Sequence, residues 1–178
     1  MKITQTSVKD LKLIEPIVFE DERGYFMESF KKSFFKENHF IQDNESKSFR
    51  GTLRGLHFQT PPFEQTKLVR VIFGKVQDVV VDLRKNSETF GKHLSFILSS
   101  NNKKQLLIPP GFAHGFLVLS DFAIFSYKVD NKYSFEHDCG IIWNDDFLGI
   151  DWKIQDDKLI LSEKDMNLPK FNNINSPF

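Results

Sequence analysis

A histidine and two basic residues lie close together in this sequence, beside several glycines. The segment 51–59 contains Arg54 and His57, and Lys67 follows shortly after it. An imidazole can act as a general base toward an acidic C–H group, and a fixed cation stabilises the negative charge that develops when the proton leaves. These residue types therefore indicate proton abstraction next to a carbonyl group of an anionic substrate.

A second histidine motif lies in the segment 109–114, which reads Pro-Pro-Gly-Phe-Ala-His and ends at His114. Its PxGxxH pattern resembles the second signature of the cupin superfamily, a small jelly roll with a site at its open end. Metal-binding cupins commonly carry HxH followed by a glutamate, but here Gln59 stands in place of the second histidine, and Glu64 is poorly spaced from Gly74. Because catalytic metal sites generally need three protein ligands, we expect chemistry without a metal or other cofactor.

The composition argues against several classes of function. Lys plus Arg and Asp plus Glu both number 24, so a formal charge of zero offers no electrostatic footprint for nucleic acid or an anionic membrane. No apolar run approaches the roughly 20 residues of a membrane-spanning helix. Cys139 has no second cysteine with which to pair, and the first ten residues lack the apolar run of a signal peptide. We therefore expect a soluble, cytoplasmic protein.

Short β-branched and aromatic runs separated by turn residues predict a β-rich fold. Three pairs of such runs are predicted to form hairpins, at residues 67–84, 95–108 and 114–129. The abundance of phenylalanine, 20 of 178 residues, indicates an aromatic core between two sheets. The predicted fold class is accordingly all-β, an antiparallel sandwich or jelly roll with a few short peripheral helices.

The helices and the domain organisation follow from spacing and length. Phe30 and Phe34 are spaced i, i+4 and predict a helix over residues 29–38, and a second short helix is expected near Ser162. A chain of 178 residues favours a single domain over 1–178. The polar tail at 171–178 is predicted to be loosely packed.

Several ordered blocks of this sequence resemble the dTDP-4-dehydrorhamnose 3,5-epimerase family of sugar-nucleotide enzymes. The early blocks read Asp-Glu-Arg-Gly-Tyr-Phe-Met-Glu at 21–28, Gln-Asp-Asn-Glu-Ser at 42–46, Leu-Arg-Gly-Leu-His-Phe-Gln at 53–59 and Lys-Leu-Val-Arg-Val at 67–71. Later blocks follow the PxGxxH motif at 127–128, 142–145, 150–152 and 161–165. So many matches in one order are hard to explain by chance. The resemblance implies a cupin-type antiparallel jelly roll.

The resemblance also implies a reaction, the 3,5-epimerisation of a nucleotide-diphosphate 4-keto-6-deoxy sugar in deoxysugar biosynthesis for lipopolysaccharide or capsule. The default substrate is dTDP-4-dehydro-6-deoxyglucose, and the product is dTDP-4-dehydrorhamnose. By resemblance, His57 is the base with Asp165 as its carboxylate partner, Lys67 stabilises the oxyanion, and Tyr127 returns a proton from the opposite face. The local sequence gives Asp165 another role, because residues 162–165 have the spacing of a helix capping box.

The same resemblance implies how the nucleotide is bound. Arg23 and Arg54 match phosphate-contacting positions, and His114 is expected to join them. Aromatic and polar contacts to the nucleotide are expected from Phe26, Tyr133, Glu28, Gln42 and Asn44. The partners implied are a nucleotide-diphosphate sugar and a second copy of the chain, because members of the family are typically homodimers in which segment 23–28 reaches the partner's site.

Several alternatives stay open at this point. Phe135 stands where relatives usually have proline, next to a base-contacting position, so a GDP-linked 4-keto-6-deoxy heptose is an alternative substrate. Epimerisation at carbon three alone is another alternative. A metal-dependent cupin using His57 and His114, or a non-catalytic sugar-nucleotide-binding module, would belong to other classes of protein. The histidines that match no catalytic position, and are expected to be structural, are His39, His93 and His137.

Overall fold

The computed structural model describes residues 1–154 and 158–178, and its regular structure is almost entirely β-strand. The strands are β1 (Lys2–Gln5), β2 (Lys12–Glu15), β3 (Val18–Asp21), β4 (Gly24–Met27), β5 (Gln42–Phe49), β6 (Leu53–Gln59), β7 (Lys67–Phe73), β8 (Lys75–Asp82), β9 (His93–Ser99), β10 (Gln105–Ile108), β11 (Phe112–Val118), β12 (Phe122–Val129) and β13 (Asp138–Gly140). A short helix, α1, spans Glu163–Met166. Single 3₁₀ turns lie at Lys32–Phe34, Phe135–His137 and Phe171–Asn173. No helix within the described ranges is long and apolar enough to cross a membrane.

The strands form two antiparallel sheets and a separate ribbon. Sheet 1 has the order β1-β2-β10-β7-β12-β5, and sheet 2 has the order β13-β6-β11-β8-β9. Among the described strands, β3 pairs only with β4. The two large sheets share one hydrophobic core. This arrangement confirms the predicted all-β jelly-roll class with few and short helices.

The core between the sheets is built from alternating residues of facing strands. In β12, Ala123, Phe125 and Val129 share one face by period two and are all buried. Phe125 stacks on Phe116 of β11 in the opposite sheet, with ring centroids 4.2 Å apart. Burying one such side chain contributes about 1.5–3 kcal/mol relative to leaving it exposed. This aromatic contact therefore joins β11 and β12, two strands that flank the site described below.

The three predicted hairpins are wrong, although their turns lie where expected. β7 and β8, β9 and β10, and β11 and β12 each lie in opposite sheets, so each turn carries the chain across the core. At the first of these crossings Gly74 has φ +83°, and a Cβ there would lie 2.3 Å from the carbonyl oxygen of Phe122. β8 and β11 are buried along nearly their whole length. Their sequences therefore lack the alternation of apolar and polar residues that could show whether consecutive strands pair in one sheet or lie in opposite sheets.

The helix predicted over residues 29–38 is also wrong, since only the 3₁₀ turn at Lys32–Phe34 forms there. Phe30 packs on Phe35, with ring centroids 5.4 Å apart, and Phe40 closes this small cluster at 5.7 Å from Phe30. Phe34, the expected i+4 partner, is exposed. The aromatic cluster therefore stabilises an irregular segment that follows the surface of sheet 1.

The C-terminal tail is packed, contrary to the prediction of loose packing. Phe171 is buried in a core cluster, and the ring of Phe178 packs edge-on against Phe58 with centroids 6.0 Å apart. The buried hydroxyl of Ser176 donates a hydrogen bond to the carbonyl of Leu83. The apolar residues between the asparagines pack the tail against the protein. The mostly polar composition of the segment led to the wrong prediction.

Candidate active site

An open cavity of about 510 Å³ lies between the two sheets, the size expected of a small-molecule site. Strands of sheet 1 and sheet 2 both contribute to its wall, as does the segment 160–165 that leads into α1. The four predicted catalytic residues and two predicted substrate-binding residues line it together: His57, Lys67, Tyr127, Asp165, Arg54 and His114. The structure thus brings to one place side chains that are more than 100 positions apart in the sequence.

His57 forms a short hydrogen bond with Asp165. Nε2 of the ring lies 2.5 Å from Oδ1 of the carboxylate, whose side chain is only 4% exposed, while the imidazole is 30% exposed to the cavity. Because an ionised carboxylate can only accept, Nε2 carries the shared hydrogen, and in the neutral form of the ring Nδ1 has the free lone pair. Within residues 1–154 and 158–178, nothing in the protein hydrogen-bonds to Nδ1, so this atom can accept a proton from a ligand.

Asp165 is held by the start of α1. Ser162 is the N-cap residue, as predicted, and its Oγ accepts a hydrogen bond from the backbone N–H of Asp165 at 3.1 Å. Burial raises the pKa of Asp165, but hydrogen bonds from His57, Ser162 and the backbone of Gly55 outweigh it, and the pKa lies below its ordinary value. The carboxylate is therefore charged at neutral pH. Asp165 therefore lies in the first turn of α1 and also contacts His57.

Lys67 and Tyr127 face the cavity from sheet 1, on β7 and β12. Burial lowers the pKa of Lys67 to about 8, against the opposing influence of the carboxylates of Asp138 and Asp78. Burial raises the pKa of Tyr127, an effect that the positive charge of Arg54 partly offsets. At neutral pH, the lysine is therefore a desolvated cation and the tyrosine a phenol with its proton in place.

His114 belongs to a second histidine–carboxylate pair. It lies beside His57 across β6 and β11, and its Nε2 is 2.9 Å from Oδ2 of the fully buried Asp78. Burial raises the pKa of Asp78, with the opposing charges of His114 and Lys67 working against it. No group of three or more His, Cys, Asp or Glu side chains in the described part of the chain is arranged to hold a metal ion. Both imidazoles instead have a carboxylate partner.

Comparisons with known proteins give the family. The family model described as dTDP-4-dehydrorhamnose 3,5-epimerase matches residues 5–173. This chain belongs to that family. A curated dTDP-4-dehydrorhamnose 3,5-epimerase from Shigella flexneri is 51% identical over 96% of each chain.

Two solved structures have the same fold as this family member. The dTDP-4-dehydrorhamnose 3,5-epimerase from Elizabethkingia anophelis is 54% identical, with 97% of each chain covered and a TM-score of 0.92. The dTDP-6-deoxy-D-glucose-3,5-epimerase from Legionella pneumophila, solved with dTDP-4-keto-L-rhamnose, is 45% identical, covers 98% of this chain and 94% of its own, and has a TM-score of 0.93. The predicted family is confirmed.

Six of the predicted substrate-binding residues do not line the cavity of the single chain. Two of them, Arg23 and Phe26, lie on the β3–β4 ribbon, where Arg23 pairs with Asp21 at 2.6 Å and Phe26 is 65% exposed. The others form local contacts on the surface. Glu28 pairs with Lys31 at 3.0 Å, Gln42 donates to Asn44 at 2.7 Å, and the hydroxyl of Tyr133 donates to Asp138 at 2.9 Å.

Several polar residues of the cavity were not predicted from the sequence. They are Glu45, Ser46, Thr52 and Ser162. Ser48, on the same face of β5 as Ser46, accepts a hydrogen bond from Nε of Arg54 at 3.0 Å and so fixes the guanidinium at the cavity wall. The alternation of Asn44, Ser46 and Ser48 in β5 was the signal available in the sequence, because residues two apart share a face of a strand.

Proposed function

We propose that this protein catalyses the 3,5-epimerisation of dTDP-4-dehydro-6-deoxyglucose to dTDP-4-dehydrorhamnose. The predicted enzyme class, an isomerase of this family, is confirmed by the family match and the curated relatives. The observation that carries the reaction is the placement of groups: His57 on sheet 2, paired with Asp165 of α1, and the protonated phenol of Tyr127 on sheet 1 line one cavity from opposite sheets. Inversion of a carbon requires a base and an acid on opposite sides of the sugar ring, and this cavity supplies both.

Each inversion begins with loss of a proton next to the ketone. Nδ1 of His57 takes the proton. The electron pair of the C–H bond forms a double bond to the carbonyl carbon, and negative charge collects on the carbonyl oxygen as an enolate. The imidazolium that forms is stabilised by Asp165 at 2.5 Å. The ammonium of Lys67, in a partly desolvated position, stabilises the enolate oxygen.

The second half of the inversion returns a proton from the other side. The hydroxyl of Tyr127 donates its proton to the same carbon from sheet 1, the enolate collapses to the ketone, and exchange with solvent resets the tyrosine and the histidine. Burial favours the neutral phenol of Tyr127 and raises its pKa, so the acid is in its reactive form before each turnover. The same groups serve carbon three and carbon five, because both carbons flank the ketone.

Incubation with the substrate in deuterated water tests the reaction directly. We expect deuterium at both carbon three and carbon five of the recovered sugar nucleotide, together with the inverted product, measured by NMR and mass spectrometry. Deuterium at carbon three alone would establish the single-site alternative. A parallel incubation with a GDP-linked 4-keto-6-deoxy heptose tests the other substrate, and labelling of that compound alone would overturn the proposed nucleotide and sugar. Binding without any label would establish a non-catalytic binding module.

The charge of Lys67 gives an expected pH dependence. The ammonium is present below its pKa of about 8 and is lost as the pH rises through that value, so kcat/KM should decline above about pH 8. Lys67→Met should lower kcat by roughly 10²- to 10³-fold, as expected for loss of an oxyanion stabiliser, and should remove this alkaline decline. The measurement is a pH series of initial rates for both proteins, with Lys75→Met, an exposed lysine on β8, as the matched control. An alkaline decline that persists unchanged in Lys67→Met would contradict the assignment.

The nucleotide half of the site and the assembly are part of the same proposal. We propose that Arg54 and His114 bind the diphosphate, and that Arg23, Phe26 and Glu28 reach the cavity of a second copy in a homodimer. The β3–β4 ribbon supports this, because it pairs with neither sheet and exposes aromatic side chains. Gln42, Asn44 and Tyr133 are proposed to complete the nucleotide site. The single-domain organisation and the cytoplasmic location stay predictions.

A further inference from the structure

The hydroxyl of Ser162 makes two hydrogen bonds to the same residue. Its Oγ accepts from the backbone N–H of Asp165 at 3.1 Å and donates to Oδ2 of the Asp165 side chain at 2.8 Å. An N-cap residue needs only the first of these bonds to satisfy the end of a helix. The second bond has no part in capping, and it is directed at the carboxylate that contacts His57.

The two oxygens of the Asp165 carboxylate thus have separate partners. Oδ2 is held by Ser162, and Oδ1 lies 2.5 Å from Nε2 of His57, so the plane of the carboxylate is fixed at both oxygens. A carboxylate fixed in this way also fixes the imidazole ring, since the ring must keep Nε2 toward Oδ1 and Nδ1 toward the cavity.

We propose that Ser162 is a positioning residue for the general base, because its hydroxyl orients the Asp165 carboxylate and, through it, the His57 ring. This inference rests on the proposed function and adds to it a residue outside the acid, base and oxyanion groups. It acts through Asp165, and its own hydroxyl is not needed for proton transfer to substrate.

The double role restricts which side chains can replace Ser162. A hydroxyl accepts and donates at the same oxygen, which serine and threonine share, whereas aspartate can cap the helix but cannot donate to a carboxylate. Glycine is well tolerated at an N-cap, so Ser162→Gly removes the bond to Oδ2 while largely keeping the helix start. The variants therefore separate capping from positioning.

Steady-state kinetics of the variants provide the first test. We expect Ser162→Ala and Ser162→Gly to lower kcat by roughly 10- to 100-fold, the usual cost of losing a partner that orients a functional histidine, with KM changed less than about threefold. Ser162→Thr should keep kcat within about threefold of the wild type. The matched control is Ser87→Ala, which removes a similar bond, 2.7 Å from Oγ to Oδ2 of Asp82, outside the cavity. Full activity in both Ser162→Ala and Ser162→Gly would overturn the proposal.

A double-mutant cycle distinguishes positioning from a general structural effect. If Ser162 acts through the Asp165 carboxylate, Ser162→Ala should have little further effect on kcat once Asp165→Asn is present, since residues of one hydrogen-bond network are not additive. An undiminished further loss in the Asp165→Asn background would show that Ser162 acts by another route and would overturn the proposal. Thermal unfolding of all four proteins identifies any variant whose fold is compromised.

NMR keeps this test separate from the proposed function. A wild-type protein that neither exchanges nor epimerises the sugar nucleotide would refute the epimerase proposal, and the positioning proposal would then be decided by the ring signals of His57. We expect the Nε2–H resonance of His57 to shift or disappear in Ser162→Ala and Ser162→Gly and to stay in place in Ser162→Thr. An unchanged resonance in the alanine and glycine variants would overturn the positioning role whether or not the protein turns over.

Discussion

Replacement of His57 by alanine is expected to lower the rate of deuterium exchange at both carbon three and carbon five by about 10³-fold or more. In the proposed mechanism the imidazole removes the proton in each inversion, and general-base catalysis by a positioned side chain contributes roughly 10²- to 10⁴-fold. The variant also leaves the buried Asp165 without its ring partner, so the loss should lie toward the upper end. The measurement is the initial rate of label uptake from deuterated water, with epimer formation followed in the same samples.

The control for this variant is His93→Ala. His93 is a partly buried histidine of β9 that does not line the cavity, so its removal changes the histidine content without touching the site. We expect the control to exchange and epimerise at the wild-type rate. Binding of dTDP to His57→Ala, measured by calorimetry, should persist and would show that the site still folds. Exchange at the wild-type rate in His57→Ala would show that His57 is not the base.

The strands β7 to β12 were predictable from the sequence, and their pairing was not. Runs such as 75–82 are apolar enough to be strands in any all-β fold, and turn residues such as Gly74 mark where strands end. A turn, however, does not determine whether the next strand lies beside the last one or across the core from it. That choice depends on which strands cover one another, and it is made by contacts such as Phe116 on Phe125 between the sheets.

The candidate site shows the same division between local and long-range information. The N-cap at Ser162 could be predicted from local spacing, and it is present. The bond between Asp165 and His57 joins residues 108 positions apart, and only the resemblance to a family suggested it before the fold was known. Local spacing alone placed Asp165 at a helix start. Both descriptions are correct because the helix start lies at the cavity wall, where the capped residue can turn its side chain toward β6.

The placement of the proposed base and the proposed acid on different sheets explains why a jelly roll would suit this chemistry. His57 lies on β6 of sheet 2, and Tyr127 lies on β12 of sheet 1. A sugar ring that enters between the sheets would therefore meet one group from each sheet, which is the arrangement that proton removal and proton return on opposite faces require.

Replacement of Tyr127 by phenylalanine is expected to separate the two halves of each inversion. Phenylalanine keeps the ring that packs against the core but removes the hydroxyl that returns the proton from sheet 1. Epimer formation should fall by roughly 10²-fold or more, the usual contribution of a positioned general acid. Deuterium uptake into unchanged substrate should fall much less, because His57 can still remove a proton and return a deuteron to the same face.

The comparison of the two rates in one sample decides the role of Tyr127. Thr4→Val, which removes an exposed hydroxyl on β1 outside the cavity, is the control and should leave the ratio of exchange to epimerisation unchanged. A rise in that ratio in Tyr127→Phe alone identifies Tyr127 as the acid, since a base or an oxyanion stabiliser would slow both processes together. An equal fall in the rates of exchange and of epimerisation would instead show that Tyr127 acts before the enolate forms. The proton of the second half-reaction would then have to come from another group or from water on the sheet 1 side of the cavity.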